Sequence, residues 1–267
     1  MSQVKMIAVD MDGTFLNSQN GYDRELFQQL YKEMQKQGVK FVVASGNQYY
    51  QLKSFFPEIA SEIAFVAENG AYIVNENEEV FCGELPYQAV HEILDILAQF
   101  DKVHTILCGR ESAYVNKKEP QSFIDHGSIY YHRLKSVEDL YTVDQDTLFK
   151  FALTVPTAQA QEILDSLIAA MGDRITPVSS GHEDIDLIIP GVHKASGLLK
   201  LQQLWGIQDE EVAAFGDSGN DLEMLRHAGF SYAMGNAHPK VKEAAKEIIA
   251  TNNENGVLKQ IEKLLSM

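Results

Sequence analysis

The sequence predicts an α/β fold in which an α+β domain interrupts a domain built around a parallel sheet. At both ends of the chain, strand-like apolar runs alternate with helical patterns, which is typical of a parallel sheet covered on both faces. In the middle, apolar and polar residues alternate around tight turns, as in an antiparallel sheet with helices on one face. We therefore expect one domain from residues 1–84 and 188–267, and an inserted domain from residues 85–187.

The first third of the chain contains three predicted strands separated by two predicted helices. Leu26, Leu30 and Met34 are spaced four apart, which predicts a helix that Gly38 ends. In chain order we expect a strand at 6–9, this helix at 23–37, a strand at 41–44, a helix from about residue 48 and a strand at 63–67.

The middle of the chain predicts shorter strands and two amphipathic helices. Phe149, Phe151 and Leu153 alternate strictly with their neighbours, which predicts a half-buried strand. In chain order we expect a helix around 90–98, strands at 103–108 and 113–115, this strand at 149–155, a helix at 158–171, and a hairpin that pairs 175–179 with 185–189.

The first pattern returns from Lys194 onward. We expect a helix from Lys194 to about Trp205, a strand at 212–215, two shorter strand–helix units, and a last helix at 257–265. Both ends of the chain therefore contribute to the same α/β domain.

Composition points to a globular protein without a membrane segment. Hydrophobic residues make up 45% of the 267 residues and charged residues 22%, which is enough to bury a sizeable core. No apolar run approaches the ~20 residues that span a bilayer, and no basic segment followed by an apolar one begins the chain. Cys82 and Cys108 are too few for a disulfide framework. We expect a cytoplasmic protein with no membrane partner.

The formal net charge of −16 limits the ligands that the surface can attract. Such a surface repels nucleic-acid phosphates, so we expect no nucleic-acid partner. It also repels phosphorylated metabolites at long range. Any phosphate site must therefore combine a bound cation, a local lysine and backbone amides.

Polar residues follow the first predicted strand abruptly, in the segment Asp10-Met11-Asp12-Gly13-Thr14. Asp10 and Asp12 are two apart on extended chain and point to the same side. Two close carboxylates repel unless a cation or a proton lies between them, so the pair indicates metal-assisted chemistry. A simple turn is an alternative at this point. A calcium loop is a weaker one, because a strand precedes and Gly21 takes the twelfth position.

Other strands end in polar residues in the same way, and ligands of open parallel sheets bind beyond these ends. The residues that should meet there are Asp10, Asp12, Ser45, Lys194 and Asp217. A carboxylate can attack phosphorus to form an aspartyl-phosphate, and Mg²⁺ prefers carboxylates together with phosphate oxygens. A hydroxyl at a helix start and a lysine complete an anion cradle. These residue types fit Mg²⁺-assisted phosphoryl transfer.

The whole set resembles the haloacid dehalogenase superfamily of phosphatases. Four motifs stand in order: Asp10-Met11-Asp12-Gly13-Thr14, Ser45, Lys194, and Gly216-Asp217-Ser218-Gly219-Asn220-Asp221. The insert between the second and third motifs resembles the cap domain of the Cof-type (C2B) subgroup, and segments 43–52 and 65–70 resemble a bacterial sugar phosphatase of that subgroup. The resemblance implies a Rossmann-like parallel-sheet core with an inserted α+β cap.

The resemblance also implies a role for each motif residue. Asp10 would be the nucleophile and a metal ligand, and Asp12 the general acid and base with its backbone carbonyl on the metal. Asp217 would be the second side-chain ligand of Mg²⁺, with Asp221 behind it. The phosphate or substrate contacts would be Ser45, Gly46, Asn47, Lys194 and Asn220. Most relatives have Thr-Gly-Arg where this chain has Ser45-Gly46-Asn47, so the arginine contact is in doubt.

The resemblance implies a small phosphorylated metabolite as substrate, sugar phosphates first. The turn Gly181-His182-Glu183-Asp184 comes just before the chain returns to the core, so His182 and Asp184 are candidate contacts for sugar hydroxyls; an ordinary exposed hairpin turn is the alternative. Flavin or nucleotide-like phosphates, and phosphoryl transfer to a second alcohol, are alternative activities. A non-catalytic phosphate sensor is disfavoured, because a sensor would need only one of Asp10 and Asp12.

Overall fold

A computed structural model describes residues 4–181 and 184–266 of the chain. Its strands in chain order are β1 (Met6–Val9), β2 (Lys40–Ala44), β3 (Ala64–Ala67), β4 (Tyr72–Asn75), β5 (Glu78–Cys82), β6 (His104–Gly109), β7 (Ala113–Asn116), β8 (Leu134–Val137), β9 (Leu148–Thr154), β10 (Thr176–Gly181), β11 (Asp184–Ile188), β12 (Val212–Gly216), β13 (Phe230–Ala233) and β14 (Glu247–Ile248).

The helices lie between these strands. In chain order they are α1 (Arg24–Gln37), α2 (Tyr49–Ser54), α3 (Tyr87–Leu97), α4 (Gln121–Tyr130), α5 (Ala160–Met171), α6 (Lys194–Trp205), α7 (Leu222–His227), α8 (Pro239–Ala244) and α9 (Gly256–Leu265). The predicted end of α1 is confirmed, because Gly38 adopts a left-handed conformation there with φ of 71°.

The first sheet has strand order β14-β13-β12-β1-β2-β3-β4-β5. Its pairs from β14 to β3 are parallel, while β4 and β5 continue it as an antiparallel edge. In register, Val9 lies beside Val43 on one side and Phe215 on the other, so the residues that follow β1, β2 and β12 emerge at one edge. The predicted α/β fold class with a parallel-sheet core is confirmed.

The second sheet has strand order β10-β11-β9-β6-β7-β8 and, apart from Ile188 at the end of β11, lies within the predicted insert, residues 85–187. Its pairs are antiparallel except β7 with β8, so the predicted antiparallel sheet has one parallel pair at this edge. The reason is α4, which the sequence analysis did not predict. Parallel neighbours require a crossover, and α4 supplies it.

The apolar core has two clusters, and the first extends onto one face of the second sheet, where it includes Ile106 and Phe149. The first includes the nearly continuous apolar strands β1, β2, β3 and β12, whose side chains are buried on both faces. In the second, Phe151 and Leu153 of β9 pack with buried residues of α3 and α5, such as Ile93 and Ile163. Cys108 is a buried free thiol and Cys82 a half-buried one. Within the described residues, none of the helices has the length and apolar character required to cross a bilayer.

Candidate active site

The loops after β1, β2 and β12 meet the start of α6 at one edge of the first sheet. Asp10 follows β1 and donates its backbone N–H to Phe215 of β12 over 3.1 Å. Lys194 is the first residue of α6, and its Nζ lies 2.6 Å from Asp10 Oδ1 and 2.7 Å from Asp221 Oδ1. Its side chain has no exposed surface. The structure therefore places a buried cation between two carboxylates, although 184 residues separate Asp10 from Lys194.

The position of Lys194 depends on how α6 begins. The His193 ring accepts the Ser196 N–H, and the Ser196 hydroxyl oxygen accepts the His193 N–H, which caps the helix. Gly70 lies against this turn with φ of +95°, and a Cβ there would come 2.5 Å from the His193 carbonyl oxygen. Glycine at position 70 thus permits the approach of α6 to the sheet.

Lys194 stays protonated in spite of its burial. Burial alone would lower its pKa, but the carboxylates of Asp10 and Asp221 outweigh that effect and raise the pKa above its ordinary value. Burial and the Asp221 carboxylate raise the pKa of Asp10 well above its ordinary value, even with Lys194 beside it. One lysine cannot fully compensate the charge of the three clustered carboxylates Asp10, Asp217 and Asp221.

Asp217 and Asp221 have different surroundings in the loop after β12. Asp221 is fully buried, and both of its oxygens are occupied: Oδ1 by Lys194, and Oδ2 by the N–H groups of Asp217 and Ser218 at 2.9 and 3.0 Å. Asp217 accepts the Thr14 hydroxyl at 3.1 Å. Burial and the Asp221 charge raise its pKa to about 6.

The donor set of this cluster fits Mg²⁺. Asp10, Asp217 and Asp221 each offer an oxygen, and these three atoms lie within 4.8 Å of one another. Because Asp221 already accepts four hydrogen bonds, Asp10 and Asp217 are the side chains with oxygens left for a cation. All donors are oxygens, which hard cations such as Mg²⁺ prefer. The raised pKa values of Asp10 and Asp217 also indicate that a cation would relieve repulsion.

The segment Ser45-Gly46-Asn47 closes the other side of the site. Asn47 donates its side-chain Nδ2 to Asp12 Oδ2 over 2.6 Å and its backbone N–H to Ser45 Oγ over 3.2 Å. Burial raises the pKa of Asp12, and the hydrogen bond from Asn47 opposes this rise. Asn47 therefore holds the side chain of the candidate general acid, Asp12.

A second buried ionic cluster, which the sequence analysis missed, lies next to this segment. Lys150 of β9 has its Nζ 2.6 Å from Glu68 Oε2 and 3.6 Å from Asp186 Oδ2, with both members of each pair nearly inaccessible. Asn69 donates to Asp186 at 2.7 Å and accepts from Asn220 at 3.0 Å. One indication of Lys150 was present in the sequence: it is a charged residue within a strand that was predicted to be half-buried.

A cavity of about 430 Å³ separates these loops from the second sheet. Of the candidates, it is lined by Asp10, Asp12, Ser45, Gly46, Asn47, Asp184, Asp217 and Asn220. Lys194, which contacts both Asp10 and Asp221, is not part of this lining, and neither is Asp221. Asp184 accepts the Thr154 hydroxyl at 2.7 Å, and His182 lies outside the described residues.

The opposite wall of the cavity includes a helix that sequence reasoning did not predict. Phe123, His126 and Tyr130 of α4 line the cavity. They are spaced at intervals of three and four residues, so they share one face of the helix. Burial, together with the charges of Asp12 and Asp184, raises the pKa of Tyr130, so its phenol lies near both carboxylates. These rings offer apolar contact area beside a polar centre.

Known proteins match this chain over nearly its full length. The sequence model of a family described as haloacid dehalogenase-like hydrolase matches residues 7–261. The 5-amino-6-(5-phospho-D-ribitylamino)uracil phosphatase YbjI of Escherichia coli (strain K12) is 52% identical over 98% of this chain and 96% of that protein. YitU of Bacillus subtilis (strain 168), a phosphatase of the same name, is 25% identical over 98% of each chain. The crystal structure of SMU.1108c from Streptococcus mutans UA159 covers 99% of this chain with 34% identity and a TM-score of 0.94.

The carboxylate cluster makes the stability of the metal-free protein depend on pH. The folded-state pKa of Asp217, about 6, exceeds the ordinary value of 3.8, so folding favours its protonated form. This contribution is fully present below the unfolded pKa and is lost as the pH rises through about 6. We expect the Tm of metal-free protein to fall between about pH 5 and 7.5, and Mg²⁺ to raise it more at the higher pH.

The matched control is Asp217→Asn, which cannot ionise and should show a smaller fall over the same range. The Tm of both proteins is measured by thermal unfolding in the presence of a chelator at a series of pH values. Parallel curves for the two would contradict this assignment of the pH dependence.

Proposed function

The chain belongs to the haloacid dehalogenase-like hydrolase family, and we propose that it is a Mg²⁺-dependent phosphatase that acts through a phosphorylated Asp10. The observation that carries the proposal is the contact of buried Lys194 with Asp10, next to Asp12 and Asp217 at the floor of one cavity.

The similarity to known proteins establishes the family and the enzyme class. The predicted resemblance to the haloacid dehalogenase superfamily is confirmed by the family match, and the predicted enzyme class is confirmed because relatives along the full chain are phosphatases. The protein is a phosphatase of phosphate monoesters, and its substrates are small phosphorylated compounds. The metal, the leaving group, the roles of individual residues and the division into core (1–84, 188–267) and cap (85–187) domains are our proposals.

Asp10 is the residue best suited to attack phosphorus. Lys194 keeps one of its oxygens, Oδ1, in a fixed position and offsets part of its charge. Oδ2 remains for the attack. The P–O bond to Asp10 forms as the bond to the leaving oxygen breaks, which gives an aspartyl-phosphate that water then hydrolyses.

Asp12 is suited to transfer the proton in both steps. Its raised pKa favours the protonated form, which can donate to the leaving alcohol. As a carboxylate it can then accept a proton from the attacking water. Asn47 fixes its orientation through the 2.6 Å hydrogen bond to Oδ2.

The remaining candidates would hold the phosphoryl group and the metal. Asp10 and Asp217, with the backbone carbonyl of Asp12, would bind Mg²⁺, which when bound offsets the negative charge that attacker and ester bring together. The Ser45 hydroxyl and Lys194 would contact phosphoryl oxygens. Asn220, which lines the cavity, would add a donor or acceptor for the ester.

For the leaving group we propose a neutral polyol, either a sugar or a sugar alcohol attached to a planar ring. Lys150 is balanced by Glu68 and Asp186, so among the described residues the lining offers no lysine or arginine that is free to bind a second anion. Asp184 can accept hydrogen bonds from hydroxyl groups, and Tyr130 can stack on a ring. The two named relatives act on a ribitylaminouracil phosphate, which has both features. Such a substrate has the polyol phosphate of the first predicted class, the sugar phosphates, and the planar ring of the alternative class, the nucleotide-like phosphates.

Substitution of the two candidate catalytic carboxylates should have different effects. Asp10→Asn removes the attacking charge, so we expect activity to vanish while the Tm changes little. Asp12→Asn should lower kcat by roughly 10²–10⁴-fold, because it impairs proton transfer while leaving the nucleophile. Steady-state hydrolysis of an aryl phosphate measures both. Near-normal turnover by Asp10→Asn would rule out the covalent mechanism.

Removal of the metal or of one ligand tests the Mg²⁺ assignment. EDTA should abolish activity, and Ca²⁺ should restore it poorly, because its larger and looser coordination misplaces the attacking oxygen. Asp217→Ala should raise the Mg²⁺ concentration for half-maximal rate and lower the maximum. Exposed Asp165 of α5 provides a control, Asp165→Ala, that should leave both values unchanged. Full activity in EDTA would exclude this cofactor.

The cap residues should determine the ranking of substrates. We expect Asp184→Ala, alone or with His182→Ala, to lower kcat/KM for polyol phosphates and change their order. A small aryl phosphate has no hydroxyls to bind, so its hydrolysis should change much less. Asp165→Ala serves again as the control on the far side of the cap sheet. Equal losses on every substrate, or none, would argue against Asp184 as a specificity residue.

A further inference from the structure

Lys150 makes contacts that the catalytic roles proposed above do not explain. It lies in β9 of the second sheet and is 1% exposed, yet it lines the cavity. Its Nζ donates to the carbonyl oxygen of Gly46 over 2.7 Å and lies 2.6 Å from Glu68 Oε2. Both of these residues belong to loops of the first sheet. A buried lysine of the cap thus reaches across to the core beside the candidate phosphate loop.

The Gly46 carbonyl that accepts from Lys150 belongs to the peptide group between Gly46 and Asn47. In a trans peptide the C=O and the next N–H point in opposite directions, so fixing the Gly46 carbonyl also fixes the Asn47 N–H. That N–H donates to Ser45 Oγ, and the Asn47 side chain donates to Asp12. Lys150 therefore orients one peptide on which the positions of Ser45 and Asn47 both depend.

A second series of hydrogen bonds joins the cap sheet to the nucleophile, Asp10. Asp186 of β11 accepts from Asn69, and Asn69 accepts from Asn220. Asn220 accepts from the Ser218 hydroxyl at 2.6 Å, and the Ser218 N–H donates to Asp221, which binds Lys194. The hydrogen bonds form a continuous chain from the cap to Asp10.

These contacts depend on a closed cap. Lys150 and Asp186 are on the cap, whereas Glu68, Asn69 and Gly46 are on the core, so separation of the two sheets would break each bond between them. Gly46 leaves room for the closed form, since a Cβ there would lie 3.2 Å from the Asn69 side chain and 3.4 Å from Asp186 Oδ2. The phosphate loop is thus fully held only when the cap lies on the core.

We propose that Lys150 is a positioning residue that couples closure of the cap to assembly of the phosphate-binding loop. It acts through the Gly46 peptide, so that Ser45 and Asn47 take their productive positions when the cap has closed. This inference rests on the proposed function of the same site. It predicts that loss of Lys150 weakens binding of the phosphate group itself, whatever the leaving group.

The test compares Lys150→Met with a cap–core contact that does not touch the loop. Tyr50→Phe removes the hydrogen bond from Tyr50 to the Arg110 carbonyl, 3.1 Å long, and is the matched control. Because Lys150→Met leaves the buried carboxylates of Glu68 and Asp186 without their cation, it can unfold the protein. The double variant Lys150→Met/Glu68→Gln removes one of those charges and provides a second measurement.

Two readouts, per folded molecule and with saturating Mg²⁺, decide the question. The inhibition constant of inorganic phosphate measures how tightly the loop binds a phosphate group. The values of kcat and KM for an aryl phosphate and for ribitol 5-phosphate measure catalysis. We expect either Lys150 variant to raise the inhibition constant of phosphate about tenfold and to lower kcat on both substrates by roughly 10–100-fold. This is less than the roughly 10²–10³-fold loss when a direct oxyanion donor is removed, because Lys150 acts through the loop. Tyr50→Phe should stay within about twofold of the unsubstituted protein.

The outcomes separate this inference from the proposed function. Lower Tm with unchanged kcat and phosphate inhibition in the folded variants would overturn the positioning role and make Lys150 a stability residue only. Equal losses in Tyr50→Phe would overturn it too, since any cap contact would then suffice. If the unsubstituted protein bound phosphate but hydrolysed neither ester, the proposed function would fail, while phosphate binding measured by calorimetry would still test Lys150.

Discussion

The buried contact between Lys194 and the carboxylates of Asp10 and Asp221 is the constraint on which the rest of the site depends. Carboxylates this close repel, and removal of one partner from a buried ion pair is strongly destabilising. The fold places the lysine there through the capped start of α6, which Gly70 allows to approach the sheet. Lys194 compensates only part of the charge, because one lysine lies among three clustered carboxylates. In the proposed function, the remaining negative charge is what would bind a cation and, with it, a phosphate ester.

The boundary between core and cap combines polar and apolar contacts. Lys150 and Asp186 of the cap are the ionic and hydrogen-bond partners of Glu68 and Asn69 in the core. Beside them, the ring of Phe149 in the second sheet stacks on Tyr72 of the first, with 6.4 Å between the ring centroids. The polar contacts are compatible with the opening and closing that we propose for the cap, because separation exposes groups that water can solvate.

Local patterns predicted strands β1, β2, β3 and β12 and the residues at their ends, because the carboxyl edge of a parallel sheet gathers whatever follows its strands. Asp10, Ser45 and Asp217 were found in this way, and the structure brings them to one cavity. Helix α4 was missed because its apolar pattern is weak and Gly127 interrupts it. Lys150 and Asp186 were missed because their partners are 82 and 117 residues away along the chain: a lone lysine in an alternating strand gives no sign of Glu68, and Asp186 gives none of Asn69. Only the packing of cap on core creates that cluster.

The stereochemistry of phosphoryl transfer tests the central claim, that the Asp10 carboxylate held by Lys194 attacks phosphorus. A phosphorothioate ester made chiral at phosphorus with oxygen isotopes, hydrolysed in isotopically labelled water, reports the number of in-line displacements. Two displacements, one by Asp10 and one by water, predict net retention of configuration at phosphorus. Net inversion would mean a single attack by water and would contradict the account.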